Sequence, residues 1–195
     1  MNVGDEMTRK KLEHEMLMEA TEKLLLEQGY GGFNFSALSS ILNVGRSTLY
    51  EYYGSKDELV ADYMTELMIN YTDELKQISI EIDAEKQLIR LIELMIKYAH
   101  IHDVLLMIPL MQSDSKPVQK VKADFVKDHL VIINYIIDIV EYGKEKLVVK
   151  KEIPTNILVN LLFNTINKPS SLDMDIDIWA KWVWEIISAG ITPKK

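Results

Sequence analysis

Residues 38–53, Leu38-Ser39-Ser40-Ile41-Leu42-Asn43-Val44-Gly45-Arg46-Ser47-Thr48-Leu49-Tyr50-Glu51-Tyr52-Tyr53, hold the pattern on which the fold turns. A short helix is expected from about Phe35 to Leu42, with Asn34 as its N-cap. Asn43-Val44-Gly45 makes a tight break, and a second short helix follows from Arg46 to Tyr53, ended by Gly54. Helix, three-residue break, helix is the arrangement of a helix-turn-helix reader, whose second helix enters the major groove. Arg46, Ser47 and Thr48 form the first turn of that helix and carry groups able to bond base edges or phosphates. Leu49 is the apolar anchor expected to turn inward. Tyr50, Tyr52 and Tyr53 offer hydroxyls within reach of phosphates.

Working outward, a helix is expected upstream from about Thr8 to Gln28, with Met16, Ala20, Leu24 and Leu25 at helical spacing and Gly29 as its stop. Downstream, Ser55-Lys56-Asp57-Glu58 has the form of a capping box. It opens a long helix with Leu59, Tyr63, Leu67, Tyr71 and Leu75 on one face. Further helices are expected over about 84–102, 103–112 and from Ser115 to Tyr142, the last with Pro117 in its first turn. Two more are expected from Pro154 to about residue 167 and from Asp175 to Ala189. The predicted fold is all-α: an N-terminal three-helix helix-turn-helix domain over residues 1–54 and a C-terminal helical bundle over 55–195.

Composition narrows the function. The chain has 195 residues, 48% hydrophobic and 27% charged, a globular rather than disordered balance. Its net charge of −8 argues against coating nucleic acid by bulk attraction, but leaves room for a local basic face. Residues 1–60 are themselves net −4, with the acids concentrated in the first helix. Between Glu27 and Asp57 the only acid is Glu51, and Arg46 is one of only three arginines. With no cysteine, thiolate metal sites, iron–sulfur clusters, disulfides and thiol nucleophiles are excluded. No secretory signal is visible and the longest apolar run, Val104–Met111, is far too short to span a bilayer, so a cytoplasmic location without membrane association is expected.

The segment from Gln28-Gly29-Tyr30 through Leu38–Leu59 resembles the N-terminal domain of the TetR (tetracycline-repressor-like) family. The elements Gly-Tyr, Val-x-x-x-Thr-Leu-Tyr-x-Tyr and Ser-Lys-x-x-Leu fall in the family's order and spacing, over roughly residues 10–60. The resemblance implies a homodimeric regulator that binds a palindromic double-stranded operator and releases it on binding a small-molecule effector. It places Arg46, Ser47 and Thr48 in the base-reading turn, and Tyr50 and Tyr52 at phosphate contacts. It puts Lys56 at the start of the fourth helix, where a lysine and the helix amides hold a phosphate. Asn34 is grouped with these DNA-binding candidates. Two departures stand out: Gly45 replaces the usual Ser or Thr, and Phe33-Asn34-Phe35 replaces the usual Thr-Ser or Thr-Thr opening. The competing reading is a helical protein-interaction module of the same fold that does not bind specific DNA sequences.

Catalytic signatures fail. His14-Glu15 begins like a zinc-protease motif, but position 18 is Met18. His100 and His102 lie about 200° apart on a helix, a poor chelate. Ser113-Asp114-Ser115-Lys116 lacks a partner motif. No enzyme activity, metal or cofactor is expected.

An apolar or amphipathic effector is expected among Met64, Met68, Met95, Tyr98, Met107, Phe125 and His129, since methionine suits adaptable apolar cavities. Asn156, Asn160, Asn164 and Asn167 form a polar stripe that fits either a solvated face or a seam in a pocket or interface. The last helix carries Ile176, Trp179, Trp182, Val183, Ile186, Ile187 and Gly190 on one face too broad for a single neighbour. A dimer through about residues 154–190 is therefore expected, with Leu158, Trp179, Trp182 and Ile186 at or near its interface.

Overall fold

A computed structural model describes residues 13–165 and 175–192. Among these residues there are nine α-helices, one 3₁₀ turn and no strand. The helices are α1 (His14–Gly32), α2 (Phe35–Leu42), α3 (Arg46–Tyr52), α4 (Lys56–Ser79), α5 (Ala84–Lys97), α6 (Ile101–Leu105), α7 (Lys116–Glu145), α8 (Thr155–Thr165) and α9 (Ile176–Ile191), with the 3₁₀ turn at Ile108–Leu110. The expected all-α class is observed.

The chain divides into two compact units. One holds residues 1–65 and 103–122, the other 66–102 and 123–195. The compact unit carrying the helix-turn-helix therefore extends past residue 54, to Thr65 in α4, and takes in a distant second segment.

In the first unit, α1 breaks where glycine was expected to stop it. Gly29 has φ 63° and ψ 176°, a backbone state open to glycine and strained for other residues. Leu17, Met18, Ala20, Leu24 and Leu25 are buried, whereas Met16 is exposed, so the inward stripe of α1 is shifted by one residue at its start. Asn34 caps α2 as expected, its Oδ1 accepting the Ala37 N–H at 2.9 Å. Asn43 closes α2 in the left-handed region, φ 52°. The Val44 and Asn43 amides then donate to Ser39 and Ser40 carbonyls, which satisfies the end of the helix in a Schellman pair. The capping box at α4 is formed in part. Ser55 Oγ accepts from Glu58 N–H at 3.2 Å, but the Glu58 carboxylate reaches past Ser55 to the Gly54 N–H at 2.8 Å.

The stripe expected on α4 is observed in full: Leu59, Tyr63, Leu67, Tyr71 and Leu75 are all buried. The expected helix over 84–102 is interrupted instead. α5 ends at Lys97, and α6 begins at Ile101. The Tyr98 ring, edge-on to Tyr71 at 5.1 Å, and its hydroxyl bond to Glu74 at 2.6 Å hold the chain at that break. The expected single helix over 103–112 is likewise α6 followed by the separate 3₁₀ turn.

In the second unit α5 packs along α9, and the Trp184 indole donates to Glu85 Oε1 at 3.1 Å. Gly143 does not stop α7, which continues to Glu145. A Cβ at Gly143 would lie 3.2 Å from both Leu88 Cδ1 and Val149 Cγ2, so glycine here permits close approach rather than a turn.

Candidate nucleic-acid interface

α3 enters the core through one residue. Leu49 has no exposed surface, and this anchor fixes the rotation of a seven-residue helix too short to hold itself. Successive residues turn by about 100°, so anchoring Leu49 sends Ser47 and Glu51 to the opposite face and Arg46 and Tyr50 to one flank. Arg46, Ser47, Tyr50, Glu51 and Tyr52 are exposed, Tyr50 at 60% and Tyr52 at 54%, while Thr48 is half-buried. The hydroxyl of Tyr53, the C-cap, donates to Asp62 Oδ2 at 2.6 Å and ties the end of α3 to α4. As expected for a glycine N-cap, Gly45 supplies no side-chain bond to α3.

Two of the residues expected at DNA, Lys56 and Asn34, also make bonds within the chain. Lys56 does stand at the N-terminus of α4, but its ammonium turns inward. It donates to the carbonyls of Tyr30 at 3.0 Å and Phe33 at 3.4 Å, and lies 4.2 Å from the centre of the Tyr30 ring. Those carbonyls sit around the α1 break, where the backbone has no helical donors left to offer them. Asn34 is exposed but occupied at both ends: besides its cap bond, its Nδ2 donates to the Gly32 carbonyl at 2.9 Å.

The neighbouring residue Asp57, read from sequence only as part of the capping box, gathers three hydrogen bonds. It is buried and accepts the Tyr30 hydroxyl together with the amides of Gln112 and Ser113, each at 2.8 Å. Burial by itself would raise its pKa. The bonds from Tyr30, Ser113 and Gln112 and the charge of Lys56 outweigh that and hold it below 3.8. Only the acid spacing of the capping box hinted at this position, and the partners lie 27 to 56 residues away along the chain.

The expected effector residues do not fall in one compact unit. Met64 and Met107 belong to the unit that carries the helix-turn-helix, and Met68, Met95, Tyr98, Phe125 and His129 to the other. Met64, Met95 and Tyr98 are buried, and the remaining four are half-buried. Phe125 and His129 stack with ring centres 6.4 Å apart. An open cleft of about 860 Å³ in the second unit is lined by other residues, among them Ile78, Leu94 and Ile176 with Glu74, Arg90, Glu93 and Lys97.

The expected interface residues divide too. Trp182 and Ile186 are exposed, at 54% and 74%, and Trp179 is half-buried. Leu158 is 4% exposed, taken up by the chain's own core near Leu88, Val140 and Trp184. The broad face of α9 is thus split, with Val183 and Ile187 inward. Of the asparagine stripe, Asn156, Asn160 and Asn164 are exposed, and Asn167 lies outside the described residues. Among the described residues no group of three metal-ligating side chains occurs, and no helix is long and apolar enough to cross a membrane.

Residues 17–63 match the family described as bacterial regulatory proteins, tetR family. No curated protein sequence matches the chain. Solved structures with the same fold include the TetR family transcriptional regulator PfmR from Thermus thermophilus, at TM-score 0.69 and 18% identity over 90% of this chain and 97% of that one. The ketosteroid transcriptional regulator KstR2 of Mycobacterium tuberculosis superposes with TM-score 0.72 at 11% identity, covering 94% of this chain and 98% of that one. The transcriptional regulator FadR from Bacillus subtilis, solved in complex with stearoyl-CoA, gives TM-score 0.61 at 20% identity over 92% and 100%. The matched segment runs from α1 into α4, and over it the chain carries the domain of the tetR family of bacterial regulatory proteins.

Proposed function

We propose that the protein is a cytoplasmic repressor that binds a palindromic operator as a homodimer and leaves it on binding a small effector. The observation that carries this reading is the orientation of α3. Its one core residue, Leu49, is fully buried, so Arg46, Ser47 and Tyr50 stand outward together on a helix of the size that enters a major groove. One such helix reads few base pairs, and a two-fold pair reads a palindrome. The exposed Trp182 and Ile186 of α9 supply apolar surface for that pairing.

In this reading Arg46, Ser47 and Thr48 face base edges and Tyr50 and Tyr52 face phosphates. Lys56 serves as a brace that presents α2 and α3. The net charge of −8 weakens attraction to DNA in general, so discrimination rests on the few contacts of α3. The effector is apolar or amphipathic, as for the stearoyl-CoA-bound Bacillus subtilis relative. The half-buried Met68, Phe125 and His129 are the residues proposed to meet it.

A mobility-shift titration with DNA from upstream of the protein's own gene tests the DNA reading. Support is a complex that resists excess unrelated DNA and holds two protomers per site. Equal, salt-sensitive retardation of all sequences would favour the interaction-module reading. Thermal shift against acyl-CoA and other amphipathic metabolites tests the effector, because a ligand of the folded state raises the melting temperature.

A further inference from the structure

Arg46 and Tyr50 lie one turn apart on the same flank of α3, and consecutive residues of α2 hold them both. Phe35 is buried and meets the exposed Tyr50 ring edge-on, with centroids 4.9 Å apart and planes at 65°. The next residue, Ser36, accepts a hydrogen bond on its Oγ from Arg46 Nη1 at 3.2 Å. Ser36 and Arg46 are both exposed, so this bond and not burial is what aims the guanidinium.

A guanidinium has five N–H donors in a planar fork. The bond to Ser36 uses one of them and leaves the edge made by Nη2 and Nε open. That edge matches the O6 and N7 acceptors of guanine, the commonest specific contact in the major groove. An arginine that is free to rotate loses entropy when it docks, and a geometry ordered beforehand reduces that loss. Pre-ordering favours the one base that fits the geometry, so it acts on discrimination more than on general attraction to DNA. Phe35 supplies one brace and Ser36 the other.

We propose that Ser36 is a positioning residue for sequence reading: it pre-aims Arg46 so that α3 selects a guanine in each operator half-site. This rests on the DNA-binding reading above. The test begins with selection of a binding site by the wild-type protein from a random duplex library. Affinity is then measured by anisotropy for that site and for variants with each guanine changed to adenine. Ser36→Thr and Ser36→Val have the same shape, and only the first keeps the hydroxyl.

The expected result is that Arg46→Ala abolishes discrimination at one guanine, and Ser36→Val reduces discrimination at that same guanine about fivefold, the scale of one hydrogen bond. Ser36→Thr retains it, and all three Ser36 forms share one salt dependence. Full discrimination by Ser36→Val, or an equal loss at every position, would overturn the positioning role and leave the DNA reading standing. Failure of the wild type to select any site would overturn both.

Discussion

The hydroxyl of Tyr30, at the end of α1, is hydrogen-bonded to the buried carboxylate of Asp57 in the first turn of α4. Because Asp57 also accepts two backbone amides from Gln112 and Ser113, one carboxylate ties three separated segments of the same compact unit. Its neighbour Lys56 fastens the carbonyls of Tyr30 and Phe33 directly before α2. The helix-turn-helix is therefore held from behind by a pair of adjacent charged residues.

Asp57→Asn removes the charge and leaves one acceptor oxygen for three donors. At least one buried donor is then unsatisfied, and unfolding should become easier by about 1–3 kcal/mol. The pH dependence gives a sharper check. The folded-state pKa of Asp57 lies below the ordinary 3.8, so the unfolded chain binds the proton more readily. The stabilisation is complete above the unfolded value and is lost as pH falls through the folded one. Denaturant titrations should show a constant gap between wild type and Asp57→Asn above about pH 5, closing in strong acid. A gap that persists unchanged at low pH would contradict the assigned pairing.

Lys56→Ala should act first on stability. It strips the carbonyls of Tyr30 and Phe33 of a charged donor, worth about 1.5–3 kcal/mol, and removes the contact over the Tyr30 ring. Hydrogen exchange should rise in residues 28–36, while the slope of affinity against salt stays close to that of wild type. A large change in that slope with no change in melting temperature would restore Lys56 to the phosphate contacts.

Leu49→Ala empties the one buried position of α3. Buried Leu-to-Ala changes remove about 2–5 kcal/mol, and the remaining contacts of this seven-residue helix lie at its partly buried and exposed positions. Specific DNA binding should disappear although circular dichroism still reports a largely helical chain. Retained specific binding would show that α3 is held by something other than Leu49.

Trp182→Glu and Ile186→Glu place charge on exposed apolar positions of α9. Light scattering should fall from about twice the 22.5 kDa chain mass to the chain mass itself, with little change in the stability of the protomer. Leu158→Ala should behave in the opposite way, destabilising the protomer by about 2–5 kcal/mol, because Leu158 is already buried within it. A wild type that is monomeric at micromolar concentration would refute the proposed pairing.

The features legible along the chain are local. The α4 stripe from Leu59 to Leu75, the Asn34 cap, the Asn43 break and the inward turn of Leu49 each depend on spacings of four residues or fewer, or on the conformational bias of one residue. Helical periodicity records which side of a helix is covered. It does not record what covers it. The covering group comes from segments distant along the chain. Lys56 looks like a surface cation until the carbonyls of Tyr30 and Phe33 arrive beneath it. Asp57 looks like an ordinary first-turn acid until residues 112 and 113 come within 2.8 Å. Leu158 and Ile186 are equally apolar in sequence, yet one is buried and the other is exposed at 74%. In each case the deciding contact joins residues far apart along the chain, and its free energy depends on a geometry that only packing of the whole unit creates.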